Sequence, residues 1–180
     1  MPSATLASEI IDRLRSLYKK EPPKRESLPV NEVIGEMVEL LRGQATRHAI
    51  SVRADLASNL PNVVSDRVQL QQVLMNLMLN AIDAMTDTGG ELTVTSQLSE
   101  DSELLIAVRD AGVGLPADNP EQIFESFVTT KPHGTGMGLT ITRSIVESHG
   151  GRLWATANAG QGATFLFTLL TEAGEQRPGA

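Results

Sequence analysis

Helical and strand-like hydrophobic periodicity occupy separate blocks of this chain, and that order constrains the fold more than any other feature. Apolar residues recur every three or four positions over 66–85, which predicts one long helix. Residues 91–98 and 103–110 alternate instead, which predicts an antiparallel hairpin. Blocks segregated in this way are typical of α+β domains. We therefore expect a two-layer α/β sandwich, with helices on one face of a mixed, mostly antiparallel sheet.

The remaining segments extend this pattern on both sides. An amphipathic helix is predicted from Val30 to about Leu41, with Asn31 as its N-cap, and Asp66 with Gln69 resembles a capping box for the long helix. Further elements are a strand at 50–56, a short helix near 121–124, a helix at 139–148 and a second hairpin at 152–157 and 163–170. Two glycines after His149 are a helix stop.

The domain boundaries follow from prolines and from one unpartnered apolar seam. Residues 1–20 carry apolar side chains on one helical face, which predicts a helix that packs against a partner helix. Two prolines in a charged run make 21–27 a linker. The domain itself is expected at 28–171, followed by a flexible tail at 172–180. The seam consists of Leu6, Ile10, Leu14 and Leu17.

Composition excludes several classes of function. The 180 residues, 41% of them hydrophobic, suffice for one core, and no apolar run approaches the roughly 20 residues of a membrane span. We therefore expect a domain without direct membrane contact. The absence of cysteine excludes disulfides and thiolate sites, and a cytoplasmic location fits that absence. A formal net charge of -7 with few aromatic residues argues against nucleic acid as a partner.

Three polar side chains share one face of the long predicted helix. Asn76, Asn80 and Asp83 lie within a narrow arc beside the apolar face, because successive residues turn by about 100 degrees. Amide oxygens at the edge of a core-packed helix can ligate magnesium, a cation that prefers oxygen. Ordinary solvated polar residues explain the same pattern.

Asp110 is the second candidate, because it ends a predicted strand on the apolar face. A carboxylate there is costly unless hydrogen-bond donors meet it, and an adenine amino group is a suitable donor. Gly112 and Gly114 follow and leave bare backbone for a flat ligand. A strand end capped by a glycine-rich turn is the alternative.

A glycine-flanked helix start is the third candidate. The run 134–139 reads G-T-G-M-G-L, and helix N-termini with exposed amides bind anions. It matches neither the P-loop nor the dinucleotide-binding fingerprint. Lys131 can meet a terminal phosphate. The alternatives are a flexible hinge for the glycines and a solvated surface position for the lysine.

Taken in order, these motifs resemble the ATP-binding domain of sensor histidine kinases, which shares the Bergerat ATP fold with gyrase and mismatch-repair ATPases. The resemblance covers roughly 28–171. It also implies that residues 1–20 are the C-terminal end of a dimerisation helix and that the parent kinase can be membrane-anchored. Residues 66–85 look like the asparagine box and 110–114 like the first glycine box. Residues 124–127 look like the phenylalanine box and 134–139 like the second glycine box.

The resemblance implies roles for individual residues and ATP with Mg²⁺ as the bound species. Asn80 would ligate magnesium, Asn76 would lie beside the phosphates, and Asp110 would bind the adenine amino group with help from Thr164. Residues 115–136 would form a mobile lid over the nucleotide. Further nucleotide contacts are expected from Gly112, Gly114, Thr130, Gly134, Thr135, Gly136, Met137, Gly138 and Leu139.

Departures from the family pattern decide between rival activities. Hydrolases of this fold carry a glutamate where this chain has Asn76, and an amide cannot activate water, which favours transfer over hydrolysis. Asp83 stands where some relatives have a basic residue, so Lys131 is the better catalytic candidate. No histidine of the chain lies in a helical His-Glu segment. The acceptor histidine is therefore expected outside this chain.

Two partners and two alternatives follow from the same resemblance. The phosphoryl group would pass from ATP to a dimerisation and phosphoacceptor domain, and then to the aspartate of a response regulator receiver domain. One alternative is an interaction module that ATP gates without chemistry. The other is a serine kinase of the anti-sigma type, which Asn76 disfavours because that relative should carry an acidic residue there.

Overall fold

The computed structural model describes residues 24–117, 119–125 and 136–172. Three α-helices, seven strands and one 3-10 helix make up this part of the chain. In order they are β1 (Arg25–Leu28), α1 (Val30–Arg47), β2 (Ile50–Leu56), β3 (Val63–Asp66), α2 (Arg67–Ala84), β4 (Gly90–Leu98), β5 (Glu103–Arg109), the 3-10 helix (Pro120–Phe124), α3 (Gly138–Ser148), β6 (Leu153–Ala157) and β7 (Ala163–Leu170). The predicted order of helices and strands from α1 to β7 is confirmed, except that the sequence analysis did not predict β3.

Five strands form one sheet in the order β2-β4-β5-β7-β6. β2 pairs parallel with β4, and the three other pairings are antiparallel. Burial alternates along β5, where Ile106 and Val108 are buried while Leu105 and Ala107 are only partly so. The buried strand face and the helices share one hydrophobic core. The α+β sandwich with a mixed, mostly antiparallel sheet is therefore confirmed.

A second sheet was not evident from the sequence. β1 pairs antiparallel with β3, so that Arg25 stands opposite Asp66. The backbone N–H of Lys24 also donates to the Asp66 carboxylate at 2.8 Å. Residues 25–27 of the expected linker are thus part of a strand, since pairing with a distant segment overrides their polar composition. The seam and most of the tail lie outside the described residues.

The helix starts agree with the sequence in one case and correct it in the other. Asp66 caps α2 as predicted, because its carboxylate accepts from the N–H of Gln69 at 3.0 Å. α1 instead begins at Val30 after Pro29, with no side-chain cap. The Asn31 side chain donates to the carbonyl of Ala57 at 2.8 Å and so joins the helix to the sheet.

The capping box at the start of α2 is half formed. Gln69 should return a side-chain hydrogen bond to the cap in a complete box. Its Oε1 is instead buried without a hydrogen-bond partner among the described residues. None of the described helices has the length and apolar content that crossing a membrane requires.

Candidate functional site

A buried carboxylate lies at the end of β5. Asp110 continues the buried face of Val108 and has only 3% of its surface exposed. The N–H of Gly112 donates to its Oδ1 at 2.9 Å, and that of Ala163 donates to the same oxygen at 3.3 Å. Burial raises the pKa of Asp110 above its ordinary 3.8, and the two N–H donors partly oppose that rise. Because both donors in the described part of the chain use Oδ1, Oδ2 can accept a bond from a ligand.

Bare backbone surrounds this carboxylate on two sides. A Cβ on Gly112 would lie 2.4 Å from the carbonyl oxygen of Ala84, at the end of α2. A Cβ on Gly162 would lie 2.1 Å from the carbonyl oxygen of Asp110 itself, and Gly162 has φ +90. Gly114 has φ +79, with Gly162 as its nearest neighbour. Three backbone segments therefore approach one another closely only because glycines stand there.

The turn between β6 and β7 holds the backbone of Asp110. Asn158 donates from Nδ2 to the carbonyl oxygen of Asp110 at 2.8 Å. Thr164 donates from Oγ1 to Oδ1 of Asn158 at 2.7 Å. Thr164 is therefore connected to the backbone of Asp110 through Asn158. Its expected role in binding adenine stays a prediction.

The asparagine face of α2 contacts the start of α3. Asn76 donates from Nδ2 to Oγ1 of Thr142 at 3.2 Å and lies 3.4 Å from the carbonyl oxygen of Gly138. Thr142 in turn donates to Gly138 at 2.8 Å. Asn76 therefore holds the start of α3, the helix end for which the sequence predicts phosphate binding.

One helix therefore connects the carboxylate to the glycine-flanked helix start. α2 meets Gly138 through Asn76, and its end meets Gly112 and Val113, whose N–H donates to the Ala84 carbonyl at 3.3 Å. Asn80 lies between these contacts, one turn or roughly 6 Å beyond Asn76. α2 thus contacts the glycine-flanked helix start near its middle and the loop after Asp110 at its C-terminal end.

The helix start itself is open in the way that an anion site requires. Met137 is the N-cap of α3, and it makes no side-chain cap hydrogen bond. Gly136 precedes it with φ +64, a conformation that favours glycine. The first amides of α3 at Gly138 and Leu139 therefore have no capping side chain among the described residues and can meet a negative charge.

Several expected contacts fall beyond what the structure describes. Lys131, Thr130, Gly134 and Thr135 lie outside the described residues, as does the second half of the phenylalanine box. Its first residue, Phe124, is buried and packs edge-on against Phe165 with ring centroids 6.4 Å apart. Arg143 of α3 lies over the Phe124 ring at 4.0 Å and pairs with Glu121 at 2.9 Å. Part of the predicted lid, the 3-10 helix at Pro120–Phe124, is therefore packed on α3.

Sequence reasoning missed the residues that support the site from a distance. Asn158 and Gly162 bracket a turn that the sequence marks only as a hairpin loop, and Thr142 sits inside α3 without any motif. The glycine at 162 is the one signal that could have been used, because it stands next to Ala163 at the start of a strand. No comparable sequence signal predicts the contacts of Asn158 and Thr142.

Comparison with known proteins gives a consistent set of matches. Residues 65–173, more than half of the chain, match the family model described as "Histidine kinase-, DNA gyrase B-, and HSP90-like ATPase". The sensor protein FixL of Bradyrhizobium diazoefficiens is 40% identical over 92% of this chain and 33% of its own length. The sensor protein TdiS of Thauera aromatica is 39% identical over 91% of this chain and 30% of its own length. The chain thus spans about a third of these relatives.

Solved structures agree with these relatives. The catalytic domain of histidine kinase ThkA, in a nucleotide-free form, superposes with a TM-score of 0.73 at 31% identity. That match covers 82% of this chain and 96% of the ThkA domain. Full-length ShkA in complex with AMPPNP superposes with a TM-score of 0.77 at 25% identity, over 93% of this chain and 35% of ShkA.

Proposed function

Because this chain belongs to the histidine kinase-, DNA gyrase B- and HSP90-like ATPase family and matches histidine kinase catalytic domains, we propose that it binds ATP and transfers the γ-phosphate to a histidine outside this chain. One observation carries the proposal. The buried carboxylate of Asp110 keeps one oxygen for a ligand, in a cradle of glycine backbone beside an uncapped helix start. The AMPPNP complex of ShkA supports a nucleotide as that ligand.

Recognition of the base rests on Asp110. The adenine amino group donates to Oδ2 in this proposal. Gly112 and Gly114 shape the pocket by letting the backbone of Ala84 and Gly162 approach closely, so they do not provide the open space that the sequence suggested. Asn158 donates to the carbonyl of Asp110, and Thr164 donates to Asn158 and orients it, so the two residues together keep the carboxylate in place. A hydrogen bond to a charged group is worth about 1.5–3 kcal/mol, enough to select adenine over a base without that amino group.

Recognition of the phosphates rests on α3 and the residues before it. The amides of Gly136, Met137, Gly138 and Leu139 face the phosphates in this proposal, together with Thr130, Gly134 and Thr135 from the lid. Lys131 neutralises the charge that develops on the γ-phosphate. Asn76 holds the start of α3 in register with α2.

Asn80 is the proposed ligand for magnesium. The described residues contain no group of three or more His, Cys, Asp or Glu side chains that could hold a metal ion by itself. Magnesium typically uses one or two protein oxygens together with substrate phosphates and waters, and the amide oxygen of Asn80 fits that requirement. The ion would neutralise phosphate charge when bound.

Transfer fits this site better than hydrolysis. Asn76 carries an amide, which cannot take a proton from water. An acceptor imidazole has an ordinary pKa of about 6.5, so it presents an unprotonated nitrogen at neutral pH and needs no strong base. Positioning and charge neutralisation then account for catalysis. The proposed partners are a dimerisation and phosphoacceptor domain and, next, the receiver aspartate of a response regulator.

Phosphotransfer is tested by supplying the missing acceptor. A dimerisation domain of a sensor kinase that carries the acceptor histidine is incubated with the full chain and radiolabelled ATP. We expect label on the acceptor that survives alkali and is lost in acid, as a phosphoramidate is. An acceptor domain with His→Gln at that position is the control and should stay unlabelled.

The same assay separates the alternatives. ATP binding without any label on the acceptor would leave only the ATP-gated interaction module. Acid-stable label would indicate a serine kinase instead. Either result contradicts the histidine kinase proposal.

Replacing Asn80 tests the metal assignment. Asn80→Ala should weaken the Mg²⁺ dependence of AMPPNP binding, because an oxygen ligand is lost, whereas Asn80→Asp keeps an oxygen at that position. Calorimetric titrations of AMPPNP at a series of Mg²⁺ concentrations measure the effect. An unchanged Mg²⁺ titration in Asn80→Ala would remove this residue from the metal site.

A further inference from the structure

His149 is a buried histidine between the end of α3 and the start of α2. Only 6% of its surface is exposed. Its Nδ1 lies 2.8 Å from the carbonyl oxygen of Ile145, one turn back in α3. Its Nε2 lies 3.3 Å from the backbone nitrogen of Asp66, the N-cap of α2. One side chain therefore links the two helices that form the candidate site.

The two partners determine which ring nitrogen carries the hydrogen. A carbonyl oxygen only accepts and a backbone N–H only donates, so a ring with hydrogen on Nδ1 and a lone pair on Nε2 makes both bonds. The hydroxyl of Ser148 also lies 3.3 Å from Nδ1, and it donates to Ile145 at 2.7 Å. With both nitrogens engaged, His149 cannot serve as a phosphoryl acceptor in this arrangement.

The link has a counterpart at the opposite end of the same helix pair. Asn76 joins α2 to the start of α3 at Gly138 and Thr142. His149 joins the end of α3 to the start of α2, and α3 spans 11 residues, or about 16 Å, between the two links. A rigid element held at both ends has one orientation, whereas an element held at one end can tilt.

We propose that His149 is a positioning residue that sets the orientation of α3 against α2 and thereby keeps the phosphate-facing end of α3 in its binding arrangement. This inference rests on the proposed function only for its effect on nucleotide affinity. The effect on the contact between Asn76 and α3 is independent of any ligand. A second link at the same corner runs from Arg25 to the carbonyl of Ser148, and it joins the end of α3 to β1, where Arg25 stands opposite Asp66.

Two substitutions separate the long-range bond from the local one. Asparagine places its side-chain amide near the position of Nδ1, so His149→Asn keeps a donor for Ile145 and loses the bond to Asp66. Glutamine reaches the position of Nε2, so His149→Gln presents an oxygen that accepts from Asp66. The pair differs by one methylene and is matched in polarity.

The expected result is a difference between the two variants. In the full chain, His149→Asn should weaken AMPPNP binding by about fivefold, because the fraction of molecules with α3 in the binding arrangement falls. His149→Gln should stay within about twofold of the unaltered chain, since the link to Asp66 is restored. The side-chain amide NMR signals of Asn76 should shift in His149→Asn and stay in place in His149→Gln.

The NMR signals test the role of His149 alone, whereas the AMPPNP affinities test that role and the proposed function together. Equal AMPPNP affinity in both variants, or Asn76 signals that move in neither, would overturn the positioning role even if both variants are less stable. If the unaltered chain does not bind AMPPNP, the proposed function fails, and the Asn76 signals alone still decide the role of His149. The backbone amide spectrum shows whether each variant is folded. If one variant is unfolded, the Asn76 signals of the other variant are compared with those of the unaltered chain.

Discussion

Asp110→Asn is expected to weaken ATP binding at least about tenfold, since a hydrogen bond to a charged group is worth about 1.5–3 kcal/mol and 1.4 kcal/mol corresponds to a factor of ten. The asparagine oxygen can still accept from Gly112 and Ala163. The amide nitrogen then replaces Oδ2 and donates where adenine also donates. Isothermal titration calorimetry with ATP measures the loss, and unchanged affinity would refute the adenine assignment.

The same substitution should stabilise the protein without nucleotide. The pKa of Asp110 is raised in the folded state by burial, so the folded carboxyl binds its proton more tightly than the unfolded one. The loss of folding stability that comes from burying the charged carboxylate is absent below the ordinary aspartate pKa. It is present in full above the raised pKa of the folded protein. Thermal unfolding should therefore show Asp110→Asn more stable at neutral pH, with the difference closing as pH falls. A destabilised variant at neutral pH would contradict this sign.

Gly162→Ala is expected to destabilise the fold by about 2–5 kcal/mol, the sum of overpacking and left-handed backbone strain. Its Cβ would lie 2.1 Å from the carbonyl oxygen of Asp110, and the residue has φ +90. The three nearest atoms all belong to the backbone of Asp110 and Ala111, so that backbone must move. We expect ATP affinity to fall more than tenfold, because the carboxylate moves with its backbone.

Gly160→Ala is the matched control in the same turn. A Cβ on Gly160 meets nothing within 4 Å. This variant should keep the stability and ATP affinity of the unaltered chain. Denaturant unfolding and calorimetry on both variants measure the contrast, and equal behaviour of Gly160→Ala and Gly162→Ala would show that close approach to Asp110 is not needed.

Local patterns were sufficient for much of this fold. Period-two alternation predicts that Asp110 lies on the buried face of its strand, and the structure confirms this with 3% of its surface exposed. The cap at Asp66 and the left-handed Gly150 after α3 were also readable, because caps and helix stops depend on a few adjacent residues. The roles of Asn76 and Asn80 toward a nucleotide stay predictions.

Contacts between distant segments could not be read in the same way. Polar residues 25–27 look like a linker until β3 supplies a pairing partner. Asn31 is a residue type that favours the N-cap position, but its side chain donates to Ala57 and accepts from Ser96 instead. In both cases an interaction across the fold outweighed the local preference.

What the sequence by itself determined is the order of elements, the inward direction of Asp110 and the glycines beside it. These depend on side-chain periodicity and backbone freedom, which act over a few neighbouring residues. Only the tertiary structure decided that Asn158 holds Asp110, that Asn76 binds α3 and that His149 joins α3 to Asp66. Their partners lie 48, 66 and 83 residues away, and a hydrogen bond over that separation forms only when the packed core brings both segments together.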